Sequence, residues 1–319
     1  MEFNAASYDD AYARALAAAQ GGAVYIAAQI GSDVVVFDPR FAAAVVLAAA
    51  RLPDISSDNI PPPITPARND VTGAFVIGAQ ENLVLTEIPP QAGAHATFYL
   101  DPRQGQPDPT FRNQGNIELT GAGSNSPTLI HVGTASFWAN NVIENDGRMY
   151  VNATGFVTGY SGSARAILAN SWSPDVLNRG LIEVHGDSFA SAVTSWDAGF
   201  SGAPWTLTNT ETGKIIVGAK GQADAVYAAN GGLIVNHGVI QVSAFNNDEY
   251  TGAWGIRVPN GDGKVINYGT ITAYSPHGAV YTAGVALGAY DSNLVVNYGT
   301  ITAKFAITSG SDRNNAPPY

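Results

Sequence analysis

One phrase recurs seven times in the last two thirds of this 319-residue chain, and its period constrains the fold. It reads Asn-x-Gly-x-Ile-x-apolar, with Met once in place of Ile and one copy that is two residues longer. The copies begin at Asn113, Asn145, Asn178, Asn209, Asn236, Asn267 and Asn297, with gaps of 32, 33, 31, 27, 31 and 30 residues. A regular period of this size is typical of stacked structural units.

Apolar and polar residues alternate across each copy, which is the pattern of a strand with one buried face. Three apolar columns are expected to be buried. The first is the Ile of the phrase: Ile117, Met149, Ile182, Ile215, Ile240, Ile271 and Ile301. The second lies two residues after it (Leu119, Val151, Val184, Val217, Val242, Ala273, Ala303), and the third lies two residues before the Asn (Phe111, Ile143, Val176, Leu207, Ile234, Val265, Val295). The mostly polar column between the first two is expected to face water: Glu118, Tyr150, Glu183, Ile216, Gln241, Thr272, Thr302.

The Asn and Gly of each copy are predicted to form a corner between two strands, because both residues tolerate positive φ. Stacking of like residues would let the Asn column form a ladder of side-chain amides. About 30 residues accommodate three short strands and their turns. The repeat therefore predicts an all-β, right-handed parallel β-helix of about seven coils. A β-sandwich lacks a repeated corner phrase, and a propeller blade needs about 40 residues or more.

Four segments are predicted along the chain. Residues 1–60 form a module of a helix, from about Tyr8 to Gln20, and strands within 23–37. Residues 61–110 are a Pro-rich linker followed by a β-cap or entry to the solenoid. Residues 111–308 form the parallel β-helix, and 309–319 are a polar tail.

Composition excludes several classes of function. The net charge is −11 with a pI near 4.7, which disfavours nucleic acid and anionic membrane surfaces as partners, since both require clustered Lys and Arg. There is no cysteine, so disulfides and thiol chemistry are excluded. No apolar run reaches transmembrane length, so membrane insertion is not expected. The N-terminus is not a Sec signal peptide, so the protein is either intracellular or exported by a route without one.

The repeated phrase and its spacing, over about residues 105–308, resemble the right-handed β-helix repeats of secreted bacterial surface proteins. These include autotransporter passengers and filamentous-haemagglutinin-type adhesins. The resemblance implies a fold but no single activity, because such β-helices include adhesins, polysaccharide lyases and phage tailspikes. Residues 8–60, with AVYIAAQIGSDVVVFD, AVVLAAARL and DISSDNI, resemble a module of RTX-type proteins exported by type I secretion. The Ca²⁺-binding nonapeptide of those proteins is absent.

Catalytic residues are not predicted, because the acidic residues of the repeat do not fall in one column. Glu118 and Glu183 share a column two coils apart, roughly 9–10 Å on the strand spacing, and this separation is close to that of inverting glycosidases. Two solvated carboxylates are the favoured interpretation. A lyase also needs a basic group near the substrate carboxylate, and Arg148, Arg179 and Lys214 lie at successive corners, where solvation is the simpler explanation.

No cofactor or metal site is predicted. The five histidines are scattered without HxH or HExxH spacing. The segment NGDGK at 260–264 resembles only a fragment of a Ca²⁺ loop, so bound calcium is not expected. Nucleotide-binding patterns are also absent.

Two groups of residues are candidates for binding. Trp196, Tyr227, Trp254 and Tyr281 lie on consecutive coils; facing outward they would form a strip that stacks on sugars, although burial in the core is the favoured interpretation. Ile301, Phe305 and Ile307 lie in the last coil, for which no capping helix is predicted. An uncapped end favours addition of another copy, as a homo-oligomer or a head-to-tail filament.

These patterns together predict a non-enzymatic, secreted structural protein of the bacterial cell surface. An adhesin, a filament subunit and an extracellular matrix subunit all fit, each self-associating through the ends of the β-helix, with surface glycans as further partners. The alternatives are a polysaccharide lyase or depolymerase and a glycan-binding β-helix protein.

Overall fold

A computed structural model describes the parts of the chain that carry regular structure. The described residues are 2–5, 26–30, 33–37, 69–71, 73–87, 96–100, 108–121, 127–133, 141–153, 162–169, 174–195, 205–229, 231–245, 252–260, 262–275, 281–288 and 293–310. The chain divides into two compact units, Met1–Ile55 and Ser56–Tyr319.

The first unit contains one three-stranded sheet in the order β1-β2-β3. Strand β1 (Glu2–Ala5) pairs in parallel with β2 (Ile26–Ile30), and β2 pairs antiparallel with β3 (Asp33–Phe37). The last two are the strands predicted within 23–37. The helix predicted from Tyr8 to Gln20 lies outside the described residues.

The second unit is a parallel β-solenoid, as predicted, and within the described residues it contains three sheets. Sheet 1 consists of β4 (Asn69–Val71), β7 (Ala96–Leu100), β10 (Thr128–Val132), β13 (Ser163–Ala169), β16 (Phe189–Ser195), β19 (Gln222–Ala228), β22 (Gly252–Val258), β25 (Tyr281–Gly288) and β28 (Phe305–Gly310). Sheet 2 consists of β5 (Ala74–Ile77), β8 (Thr110–Asn113), β11 (Val142–Asn145), β14 (Asp175–Asn178), β17 (Thr206–Asn209), β20 (Gly231–Asn236), β23 (Asp262–Asn267) and β26 (Leu294–Asn297). Sheet 3 consists of β6 (Asn82–Glu87), β9 (Asn116–Gly121), β12 (Arg148–Ala153), β15 (Leu181–Gly186), β18 (Lys214–Ala219), β21 (Val239–Ala244), β24 (Thr270–Tyr274) and β27 (Thr300–Thr302).

One strand from each sheet makes a rung, and each strand pairs in parallel with the equivalent strand of the next rung. The register places like on like: Ile143 is opposite Phe111 and Val176, and Asn145 is opposite Asn113 and Asn178. Right-handed coiling remains the expectation of the general rule for parallel crossovers.

The interior of the solenoid is the main hydrophobic core. The three predicted apolar columns point into it, with Ile117, Met149 and Ile182 fully buried. The intervening column is half-buried or exposed, as its polarity predicts. Among the described residues no helix is long and apolar enough to span a membrane.

The corner between sheets 2 and 3 holds an unbroken ladder of asparagine amides. Each Nδ2 donates to Oδ1 of the Asn one rung on, at 2.7–2.8 Å, through Asn113, Asn145, Asn178, Asn209, Asn236, Asn267 and Asn297. The corner glycines are needed for a different reason from the one expected. Their φ angles are not positive, but a Cβ at Gly147 or Gly269 would collide with the carbonyl oxygen of the glycine one rung earlier.

The solenoid is longer than predicted. Eight complete three-stranded rungs are present in the described residues, followed by β28 of a ninth, where seven coils were expected. The first rung falls in the segment predicted as a linker and cap. It carries Ile77 opposite Asn113, so it pairs in register without showing the Asn-Gly phrase.

Candidate functional site

The strands of sheet 1 bend because two consecutive residues of each strand face the interior. Ala225 and Val226 are both fully buried in the main core. The register skips Ala225, pairing Asp224 with Ser191 and Val226 with Val193. The residues on either side of the bend, Asp224 and Tyr227, therefore both lie on the outer face.

A pocket of about 280 Å³ opens on this outer face. Four successive strands supply its lining, from β13 to β22, so it extends roughly 14 Å along the solenoid at the usual strand spacing. The lining residues are Arg165, Phe189, Gln222, Asp224, Tyr227 and Arg257.

Aromatic rings hold the two arginines of the pocket. The Cζ atom of Arg165 lies 4.9 Å from the centroid of the Phe189 ring. The Cζ atom of Arg257 lies 4.6 Å from the Trp254 ring and 5.4 Å from the Tyr227 ring. Guanidinium groups stack favourably on such rings. This stacking fixes two positive charges in a protein whose net charge is −11.

Asp224 is the acidic group of the pocket, and it is fully buried. Burial raises the pKa of its carboxyl to about 6, although Arg257, the Gln222 hydrogen bond and Arg165 oppose the rise. Gln222 Nε2 donates to Asp224 Oδ2 at 2.7 Å, whereas Arg257 Nη1 is 3.9 Å from that oxygen. Burial also lowers the pKa of the Arg165 guanidinium, an effect that the charge of Asp224 partly offsets.

Three buried polar atoms of the pocket have no hydrogen-bond partner among the described residues. They are Nε of Arg165, Nε of Arg257 and Oδ1 of Asp224. A buried polar atom left unsatisfied costs about 1–3 kcal/mol, and such groups are rare outside functional sites. Two donors and one acceptor around one pocket suit a ligand that carries an anion and a hydroxyl group.

The predicted aromatic strip lies partly beside this pocket. Tyr227 lines it, and the rings of Trp254 and Tyr281 stack at 6.3 Å on the next two rungs. Trp254 is only 3% exposed, but it packs in a small cluster with Ala283 and Ala286 that is separate from the main core. Trp254 is therefore buried, as the favoured interpretation has it, and its stacking on a sugar stays a prediction. Trp196 lies outside the described residues.

The acidic and basic residues considered for catalysis lie on other sheets. Glu183, on sheet 3, accepts from Arg148 at 3.1 Å and contacts His185 at 3.0 Å. Glu118 is on the same face, two rungs away, with Tyr150 between them. Arg179 is paired with Glu144 and Asp146 on sheet 2. Lys214 is exposed on β18. These residues do not meet in the pocket.

Metal binding finds no support in the described side chains. No group of three or more His, Asp or Glu residues among them is placed to hold an ion. The prediction that no metal is bound stays a prediction.

The predicted assembly residues lie on the last described rungs. Ile301 and Phe305 are half-buried, and Ile307 is 48% exposed. The equivalent residues of the preceding rung, Ile271 and Val285, are fully buried.

Comparison with known proteins adds a family to this geometry. A family model described as the BigA third pectate lyase-like domain matches residues 104–315. The chain belongs to this family. No curated protein and no solved structure matches the chain. The match supports the predicted likeness to β-helix proteins of the bacterial surface, and it does not extend to the RTX-type resemblance of residues 8–60, which stays a prediction.

Membership in a pectate lyase-like family overturns one prediction. The expectation that the chain is not an enzyme is wrong, because the family points to polysaccharide lyases. The residues of the pocket in this pectate lyase-like domain lie in sheet 1, outside the repeated phrase, and their columns change residue type from rung to rung, as in Arg165, Ser191 and Asp224. One signal was present: Asp224 and Arg257 each interrupt a run of small and apolar residues in sheet 1.

Proposed function

We propose that this pectate lyase-like domain binds an acidic polysaccharide in the sheet 1 pocket and cleaves it by β-elimination. The observation that carries the proposal is the pair of aromatic-held arginines, each with a buried Nε that has no partner among the described residues. A uronate sugar supplies the matching groups, a carboxylate for the guanidinium groups and hydroxyls for Asp224 Oδ1.

β-Elimination in a 4-linked uronate needs three contributions from the protein. A base removes the C5 proton, the electron pair forms the C4=C5 double bond, and the C4–O4 bond breaks with a proton passing to O4. Positive charge near the carboxylate makes the C5 proton more acidic.

The pocket offers a candidate for each contribution. Arg257 is the candidate for holding the substrate carboxylate. Arg165 is the candidate base, because burial lowers its pKa, the direction that proton abstraction requires. Tyr227 is the candidate donor to O4, because burial raises the pKa of its phenol and keeps it protonated.

The aromatic rings next to the pocket support binding of more than one sugar. Trp254 and Tyr281 continue along sheet 1 on the two rungs that follow β19. Trp254 is covered by Arg257, which it supports, whereas Tyr281 is half-buried and offers a ring on which a neighbouring sugar would stack through its C–H groups. Family membership also supports a location on the bacterial surface, where acidic glycans are available.

Incubation with polygalacturonate, alginate and a neutral glucan tests the proposal. The ultraviolet absorbance of unsaturated uronate should rise with an acidic polysaccharide and stay flat with the glucan. Arg165→Ala should lower the rate at least ~100-fold, whereas Arg148→Ala, on sheet 3, should leave it unchanged. Absence of unsaturated product from either acidic polymer, across pH 5 to 9, would reject the lyase activity, and calorimetry with the same polymers would then decide whether binding survives.

Self-association is a second candidate function. It is supported by the exposure of Ile307 in a column that is fully buried at Val285 and Val226. We infer that a second copy adds to the rungs that carry Ile301, Phe305 and Ile307. Sedimentation velocity across a hundredfold concentration range should show oligomers, and Ile307→Lys should remove them. Monomers at every concentration would reject this function.

A further inference from the structure

The pocket has an electrostatic problem that its proposed ligand makes worse. Asp224 is fully buried, yet neither arginine forms a hydrogen-bonded ion pair with it, since Arg257 Nη1 stops 3.9 Å from Oδ2. Its Oδ1 is buried without a partner among the described residues, and Asp224 is one of the residues that line the pocket. An incoming uronate would bring a second carboxylate into the same 280 Å³.

Two carboxylates that share one desolvated site do not both stay ionised. One of them takes a proton, and the proton then forms a hydrogen bond between them. The Oδ1 atom of Asp224 is free to carry it, because Oδ2 already accepts from Gln222 at 2.7 Å. Deletion of the negative charge also leaves both arginines available to the ligand.

We propose that Asp224 is a specificity-determining residue that takes up one proton when an anionic sugar binds and shares it with the sugar carboxylate. The inference rests on the proposed function of the pocket. Beyond that function, the pocket binds a sugar carboxylate and takes up one proton in the same step, so that the affinity for the sugar depends on pH.

Asp224 is the group of the pocket that titrates between pH 5 and 8, as the side chains facing it from each neighbouring strand show. Arg165 on β13 and Arg257 on β22 carry guanidinium groups, and burial raises the pKa of the Tyr227 phenol on β19 further above neutrality. Ser191, opposite Asp224 on β16, is a buried hydroxyl that donates to the Val193 carbonyl. Between pH 5 and 8, a change of charge in the pocket therefore belongs to Asp224.

Galacturonate monomer is the probe, because it has no glycosidic bond to cleave. Its affinity should fall roughly 20-fold between pH 5.5 and 7.5 if only the protonated pocket binds and Asp224 titrates near 6. Calorimetry at pH 7 in two buffers of different ionisation enthalpy should show uptake approaching one proton. The methyl ester of galacturonate carries no charge and should bind without proton uptake.

Asp224→Asn places a permanently neutral group in the pocket. It should bind galacturonate with the same affinity at pH 5.5 and 7.5 and without proton uptake, while Glu183→Gln, on sheet 3, should keep the pH dependence. If the unsubstituted protein binds galacturonate equally at both pH values and takes up no proton, the inference is overturned and the binding function stands. If the unsubstituted protein does not bind galacturonate at any pH, the proposed function fails as well. The wild-type measurements decide even where the variant does not fold.

Discussion

The Nη1 atom of Arg257 lies 3.9 Å from Oδ2 of Asp224, close enough for attraction but too far for a hydrogen bond. Burial destabilises the ionised carboxylate of Asp224, and the distant Arg257 charge offsets this only in part. The pKa of Asp224 is therefore raised to about 6. This relationship makes the stability of the protein depend on pH in a direction opposite to that of most acidic residues.

Asp224→Asn should stabilise the protein at neutral pH. The pKa of Asp224 in the folded state, about 6, lies above the ordinary value of 3.8, so its favourable contribution to stability is present below pH 3.8 and is lost as pH rises through 6. At pH 7.5 the free energy of unfolding should increase by about 1–3 kcal/mol in the variant, and the gain should vanish below about pH 4. Urea titrations at the two pH values measure this.

Asp146→Asn provides the opposite case. Partial burial tends to raise the pKa of Asp146, but hydrogen bonds from Arg179 and Arg112 and their charges outweigh it and lower the pKa. Its contribution is present above pH 3.8 and is lost as pH falls through the folded pKa. The variant should be less stable than the parent at pH 7 and similar to it at low pH. An equal effect at both pH values would contradict the assignment.

Replacement of Trp254 should weaken glycan binding without unfolding the domain. Trp254 lies under Arg257 and beside Tyr281, outside the main core. Loss of its stacking with the Arg257 guanidinium should lower the affinity for trigalacturonate roughly tenfold. Phe245→Ala removes a large aromatic that is 49% exposed away from the pocket, and calorimetry should find its affinity unchanged.

The amide ladder should tolerate loss of its last member better than loss of an inner one. Asn236 is fully buried; it accepts from Asn209 and donates to Asn267. Asn236→Ala leaves Oδ1 of Asn267 without its ladder donor and Nδ2 of Asn209 with only longer bonds to backbone carbonyls, and it should cost about 2–4 kcal/mol. Asn297 is exposed and ends the ladder among the described residues, so Asn297→Ala should cost below ~1 kcal/mol. Guanidinium unfolding measures both, and equal costs would show that the ladder does not act through burial.

A corner glycine should be irreplaceable where the backbones of two rungs meet. A Cβ at Gly269 would collide with the carbonyl oxygen of Gly238, so Gly269→Ala should destabilise the protein by more than ~3 kcal/mol. The matched control is Gly78→Ala, whose Cβ would meet Glu81 at an ordinary 3.7 Å and should change stability by less than ~1 kcal/mol. Thermal unfolding of the two variants compares them directly.

The fold was predictable from the repeat because residues at equivalent positions of the phrase pack against one another on adjacent rungs. Ile117, Met149 and Ile182 occupy one column in the sequence and one column in the core. The first rung escaped prediction because Ile77 replaces the corner Asn. Its residues pair by backbone hydrogen bonds, which any side chain permits.

The pocket was not predictable by the same reasoning. Arg165 and Asp224 share one column with Ser191 between them, but the residue type changes at every rung, and Arg257 lies in the column of Tyr227. The two columns meet on the outer face because two consecutive residues, such as Ala225 and Val226, face the interior between them. A strict alternation of inward and outward residues, applied from Asp224, would place Val226 outside and Tyr227 in the core. The structure has the reverse for both.

The asparagine ladder gives the solenoid a polarity and a unit of growth. Every amide donates in the same direction, from the rung of Asn113 towards that of Asn297. A duplicated coil that carries its own Asn can enter at any rung and restore both hydrogen bonds, whereas a partial coil breaks the chain of donors. Length can therefore change by whole repeats at almost no energetic cost, and the identical phrase NYGTITA at the last two corners is the pattern that such a duplication would leave.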